Sequence, residues 1–468
     1  LRQREQHRKR LLSALGGIAV LVLAALLLLT YQSRMAEKEA QTAREAQQAL
    51  AESMLNRFLE QTDRLGDVAD LETRKAFSEV LSNYLNSLQP RDLTPESRRL
   101  LGVALSNRAE ILRDEGELEE ARSVLESARQ ILQELVNDQT GDADALFELG
   151  QVEYWIGQVH LDLGNMDKAG ASFETYTDIS MDLHQLAPDE ADWTMEVAYA
   201  QSNLGNLEKR KMPSDPDIVL HYYREALKFN EQAAAQDARY RFELADSHAD
   251  VADAWQGLCD LQKANEHRLE NVHLAARQFD VNPASNRLKQ DYANALSGLA
   301  LVQQQSGKLD EAITTLGASL ELQADLVEED PSNLRKRWNL IRKSAYQAKF
   351  LDMAGERARS QSLSEWIFTR MSELTAQGQE IRIDHSVAYG MFLRDWAHRA
   401  YHAGQAETAS KRMKESIEQL KNIALEHPNN GMALNELALS YFYFWDHNNH
   451  VLSDPDAAGW LSKARKAS

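Results

Sequence analysis

Ala169, Ala264, Ala312 and Ala409 are each followed nineteen residues later by a proline: Pro188, Pro283, Pro331 and Pro428. The alanines lie 95, 48 and 97 residues apart, one or two steps of about 48. Chance composition does not keep such a register. The chain is therefore built by repetition, and repeats of this length stack as a solenoid in which each unit touches only its neighbours. Stacking also removes the size limit on a single compact core, which 468 residues would exceed.

Aligned on the alanines, the chain shows one recurring unit. A first helix carries a small or apolar pair near its middle: Ile156-Gly157, Leu204-Gly205, Val251-Ala252, Leu299-Ala300 and Trp396-Ala397. A glycine follows at Gly116, Gly164, Gly307, Gly355 or Gly404, and Cys259 stands where the fourth unit should have one. Glycine permits the left-handed backbone that turns one helix into the next. Small residues at Ala121, Ala169, Ala312, Ser360 and Ala409 let the two helices approach. Leu125, Phe173, Tyr223, Leu316 and Met413 are expected to fill the space between them. Irregular stretches are expected at 209–217 and 445–456.

GNMDKAGASFETY at 164–176 and GKLDEAITTLGASL at 307–320 resemble the tetratricopeptide repeat, in a long bacterial variant of about 48 residues. The resemblance implies an all-α fold, a solenoid of antiparallel helix pairs. It would fill residues 97–468 with seven to eight units and work as a surface for other proteins. The chain also resembles the C-terminal part of membrane-tethered bacterial signalling proteins.

Leu11 to Tyr31 contains no charged residue. As a helix it would be roughly 32 Å long, enough to cross a hydrocarbon core. Arg2, Arg4, Arg8, Lys9 and Arg10 precede it, against Arg34, Lys38 and Arg44 after it. This predicts a basic juxtamembrane segment at 1–10, a transmembrane helix at 11–31 and a helical linker at 32–96. The location expected is the cytoplasmic membrane, single-pass, with the N-terminus cytoplasmic and the repeats extracytoplasmic. Ser13, Gly16 and Gly17 offer a small-residue face for a homodimer. The chain opens on Leu1 rather than Met and is read as beginning within a longer product.

With 52 basic and 72 acidic residues the net charge is −20, which argues against nucleic acid as a partner for the bulk of the chain and favours basic or apolar partners. Cys259 is the one cysteine, so neither an internal disulfide nor a thiolate metal cluster can form. No phosphate-cradling glycine loop and no HExxH motif is present. His398 and His402 lie one helical turn apart but lack a third ligand. His447 and His450, with Asp446 and Asp454, fall in the irregular stretch and read as a polar loop. No catalytic residue, cofactor or metal is therefore assigned, and the chain itself reads as non-enzymatic. Most of the eight tryptophans fall at helix-packing positions and read as core rather than a ligand cage.

What remains is a surface. In stacked hairpins the first helices line one face, and their positions free of packing select Tyr154, Gln158, Tyr199, Ser202, Asp246, Asp253, Asn294, Ser297, Arg342, Lys349, Arg394 and His398. The charge along this series runs from acidic to basic, as a groove for a bipolar peptide or partner helix requires. The expected function is a membrane-anchored scaffold for protein–protein interaction, the sensing or assembly part of a signalling protein. Two alternatives stand beside it. The chain is the non-catalytic half of a kinase, cyclase or Toll/interleukin-receptor-like enzyme whose catalytic domain precedes residue 1, or it is a constitutive envelope-assembly factor.

Overall fold

A computed structural model describes residues 94–114, 116–138, 142–211, 214–376, 383–426 and 431–448. These residues form fifteen α-helices and divide into two compact units, separated after Lys211. The first unit holds α1 (Pro95–Asp114), α2 (Leu118–Asp138), α3 (Ala143–Asp162), α4 (Met166–Leu186) and α5 (Ala191–Arg210). The second opens with α6 (Pro216–Gln236), a short 3₁₀ turn (Ala238–Tyr240), α7 (Arg241–Gly257), α8 (Leu261–Val281), α9 (Asn286–Gln305) and α10 (Leu309–Glu329). It continues with α11 (Leu334–Met353), α12 (Arg357–Ala376), α13 (Ile383–His402), α14 (Ala406–Glu426) and α15 (Gly431–Asn448). The predicted segments 1–10 and 11–31, and all of the linker but its last three residues, lie outside the described residues, as does Pro428.

The hairpin turns follow from one backbone angle. Gly116, Gly164, Gly307, Gly355 and Gly404 have φ between 75° and 84°, and Cys259 takes φ 61° in the glycine's place. At each turn the following residue donates its N–H to the carbonyl five residues earlier, as from Glu117 to Leu112, Asn165 to His160, Asp260 to Trp255 and Lys308 to Gln303. Carbonyls at the end of the first helix are thereby satisfied, and the chain reverses within a few residues.

Packing between paired helices uses the predicted residues. Leu125, Phe173, Tyr223, Leu316 and Met413 are all at most 1 % exposed. Phe173 presses on a glycine, and so does Leu420 in the second unit. A Cβ on Gly157 would lie 2.5 Å from the Phe173 ring, and one on Gly390 would lie 2.6 Å from Leu420. A polar link accompanies this contact in the second unit. Asn271, Ser319 and Ser416 each donate to a first-helix carbonyl twenty-six residues earlier, on Ala245, Ala293 and Gly390. Within each unit the first helices also touch one another, as α1 with α3, α7 with α9 and α13 with α15.

The expected membrane location needs correction. No described helix is long and apolar enough to cross a membrane. The physical reason is their mixed composition: each carries charged residues along its length and buries small and apolar ones against its neighbours. The segment 11–31, on which that expectation rested, is outside the described residues, and the single-pass assignment is not carried further.

Candidate partner-binding face

Much of the polar surface of the first helices joins one first helix to the next. In the first unit Arg99 of α1 reaches Glu148 of α3 at 3.3 Å, and Arg113 pairs with Asp162. Gln151 of α3 donates to Glu196 of α5 at 2.8 Å, and Gln158 to Asn203 at 3.4 Å. In the second unit Gln256 donates to Gln305 at 2.8 Å, and Arg394 of α13 pairs with Glu436 of α15. These are rungs between equivalent helices. Their acceptors Glu148, Glu196 and Glu436 fall at one position of the 48-residue register, a signal present in the sequence and not used in choosing the candidate residues.

The rungs are partly dry, and their charges feel it. Burial pushes Glu148 up to about 7 despite Arg99 beside it. Burial likewise raises Glu196, which accepts from the Tyr176 hydroxyl at 2.6 Å. In the second unit Lys343 is 1 % exposed and donates to the Ala293 carbonyl at 2.8 Å and to Ser319 Oγ at 3.0 Å. Its burial without a carboxylate partner lowers it to about 7.

The twelve candidate residues are sorted by this arrangement. Tyr154 is half-buried in an aromatic cluster with Trp155, Phe173 and Tyr176, and Gln158 is spent on its rung. Tyr199 stays open at 37 % exposure, with Ser202 half-buried one turn on. Asp246, Asn294, Arg342 and Lys349 are exposed. Asp253 is engaged by Arg268 of α8, whose guanidinium packs over Gly298, and Ser297 shares a hydrogen bond with Ser319 at 2.9 Å. Arg394, only 7 % exposed, is held by Glu436 and Asp395. His398 packs against His402 and Tyr443. The open face therefore consists of Tyr199 in the first unit, and of Asp246, Asn294, Arg342 and Lys349 in the second. Trp338 and Trp396 are core, at 7 % and 5 % exposure. Among the described residues no three His, Cys, Asp or Glu side chains are placed to hold a metal ion.

A tetratricopeptide-repeat family model matches residues 154–180, and no curated protein matches the chain. Similar solved structures include BtubC (BKLC) from P. vanneervenii, 18 % identical, with 55 % of this chain and 92 % of that chain covered and a TM-score of 0.44. The apo form of the quorum sensor NprR from B. thuringiensis is 15 % identical, with 93 % and 99 % covered and a TM-score of 0.45. The apo form of RapI is 13 % identical, with 69 % and 98 % covered and a TM-score of 0.45. The family match falls on one half-helix, glycine turn and following helix, a geometry that recurs among the described residues four more times with glycine and once with Cys259, so the repeat fold of the described residues is tetratricopeptide-like.

Proposed function

We propose that the chain is a scaffold for protein–protein interaction that presents the first-helix face of each unit to a partner. The observation that carries this reading is the division of labour on those helices. Positions at the rungs and at the second-helix contacts are largely withdrawn from solvent, while the side chains of Tyr199, Asp246, Asn294, Arg342 and Lys349 are exposed beside them. Rungs and buried hydrogen bonds hold the surrounding backbone, so a partner would meet a surface already ordered and little binding free energy would go into ordering it. The same reading gives the chain a sensing or assembly role in a signalling protein, in which occupancy of the face is the signal. Photo-cross-linking residues placed at Tyr199, Asn294 and Arg342 test it against controls at Glu174 and Glu321 on second helices. Specific adducts at the first-helix positions are expected. Adducts confined to the second-helix positions would overturn the assignment.

A further inference from the structure

Helix α8 lacks the large apolar anchor that other second helices bury. In α4 and α10 that anchor, Phe173 or Leu316, stands four residues after the small residue of the turn and is out of contact with solvent. In α8 the same place, four residues after Ala264, is taken by Arg268, and the buried residues of the helix are Ala264, Arg268, Asn271 and Ala275. Phe279 stacks on Tyr292 of α9 rather than on α7. Polar links take the anchor's place between α7 and α8. Arg268 pairs with Asp253, Asn271 donates to the Ala245 carbonyl at 2.8 Å, and Gln278 donates to the Arg241 carbonyl at 3.0 Å. A further link joins two imidazoles. His248 Nδ1 of α7 lies 3.0 Å from His267 Nδ1 of α8, with ring centroids 5.2 Å apart.

A neutral imidazole carries one N–H and one bare nitrogen. The two Nδ1 atoms therefore bond when one holds a proton and the other is bare. A first added proton can enter at Nε2 of the donor ring, which leaves its Nδ1–H in place and strengthens the bond by charge. A second proton has only the accepting Nδ1 to enter. It would turn two N–H groups toward each other and set two positive rings side by side. We propose that the His248–His267 pair is an acid-sensitive latch, which holds α8 on α7 with one added proton and releases it with two. Burial opposes charge on both rings and lowers them from the ordinary imidazole value. His267 adds to this at His248, and Arg224 of α6 at His267, while Glu270 and Glu266 of α8 act the other way. Glu270 is shared with His273 at 3.5 Å. Below the ordinary value of 6.5 the opened hairpin thus binds more protons than the closed one, and α8 loses stability as the pH falls. The latch does not depend on what the first-helix face binds.

Amide hydrogen exchange on the full chain, corrected for the intrinsic pH dependence of exchange, tests the latch. From about pH 7.5 to about pH 5.5 the protection of α8 is expected to fall by about tenfold, while α10, anchored by Leu316, changes by less than about twofold. His267→Asn keeps a polar group near the Nδ1 position and leaves one ring to protonate, so the acid loss in α8 should disappear. His273→Asn, at an exposed position of the same helix, should lose protection as the parent does. An α8 that opens in acid equally in the parent and in His267→Asn would overturn the latch, and so would a parent α8 that stays as protected as α10. Should His267→Asn already open α8 at the higher pH, histidine C2–H exchange in the parent decides, because it reads the titration of each ring without a substitution. His248 and His267 are expected to titrate in two separate steps, the lower one coinciding with the loss of α8 protection. A pH at which both rings are charged and α8 is still protected would overturn the proposal.

Discussion

Cys259 holds a left-handed backbone, φ 61°, at the turn where five other hairpins use glycine. An L-residue with a Cβ is strained there, by roughly 1–2 kcal/mol, whereas glycine is not. Glycine also gives the unfolded chain more freedom, which offsets part of the gain. Cys259→Gly is expected to stabilise the second unit by about 0.5–1 kcal/mol, and Gly307→Ala to destabilise it by about 1 kcal/mol. Both would be read as shifts of the urea midpoint at constant slope. A Cys259→Gly chain less stable than the parent would mean that the thiol makes a contact worth more than the strain. This site was half legible in the sequence: alignment on the alanines showed that a glycine was missing, but not that the cysteine would adopt its angle. Arg394 was not legible at all. Its helix position read as free, and only the fold brings Glu436, forty-two residues away in the chain, against it.

At the scale of the helices, two buried charges, one in each unit, make opposite contributions to the response to pH. Lys343 titrates near 7 in the folded chain and near 10.5 when unfolded, so between those values the unfolded chain binds more protons. Its contribution to stability therefore rises with pH across that window, and at or below pH 7 it weighs against folding. Glu148 titrates near 7 folded and near 4.5 unfolded, so the folded chain binds more protons between those values. Its contribution is favourable below about pH 4.5 and is lost as pH rises to 7. Lys343→Met should stabilise the second unit at pH 7 by on the order of 2 kcal/mol and flatten its pH response, because Ser319 still serves the Ala293 carbonyl. Glu148→Gln should reduce the loss of stability in the first unit between pH 5 and 7, leaving the part due to Glu153 and Glu196, while Arg99 keeps Glu96 as a partner. Urea titrations from pH 5 to 9 would check both, and parallel pH slopes in parent and variant would refute the assigned groups. The hairpins themselves were legible because glycine, small and large residues recur in register. Of the rungs only the recurrence of Glu148, Glu196 and Glu436 at one register position was legible, since each partner lies 42–49 residues away and only stacking decides which polar groups meet.

Across the whole molecule, the same nearest-neighbour character governs how damage spreads. Within each unit most consecutive helices pack together and several first helices touch one another, and the described residues separate into two compact units after Lys211. In a stack of this kind stability is a sum of unit energies and neighbour contacts, so a defect weakens its surroundings and fades with distance. Phe173 lies fully buried against Gly157 in the first unit, and Leu316 occupies the corresponding space in the second. Phe173→Ala should cost about 3–5 kcal/mol and Leu316→Ala about 2–5 kcal/mol, each leaving a cavity that rigid helices fill poorly. Amide hydrogen exchange resolves where the loss is felt. Phe173→Ala is expected to speed exchange in α1–α5 and leave α9–α14 protected, and Leu316→Ala to do the reverse. Loss of protection in both units from either substitution would show that they fold as one cooperative block.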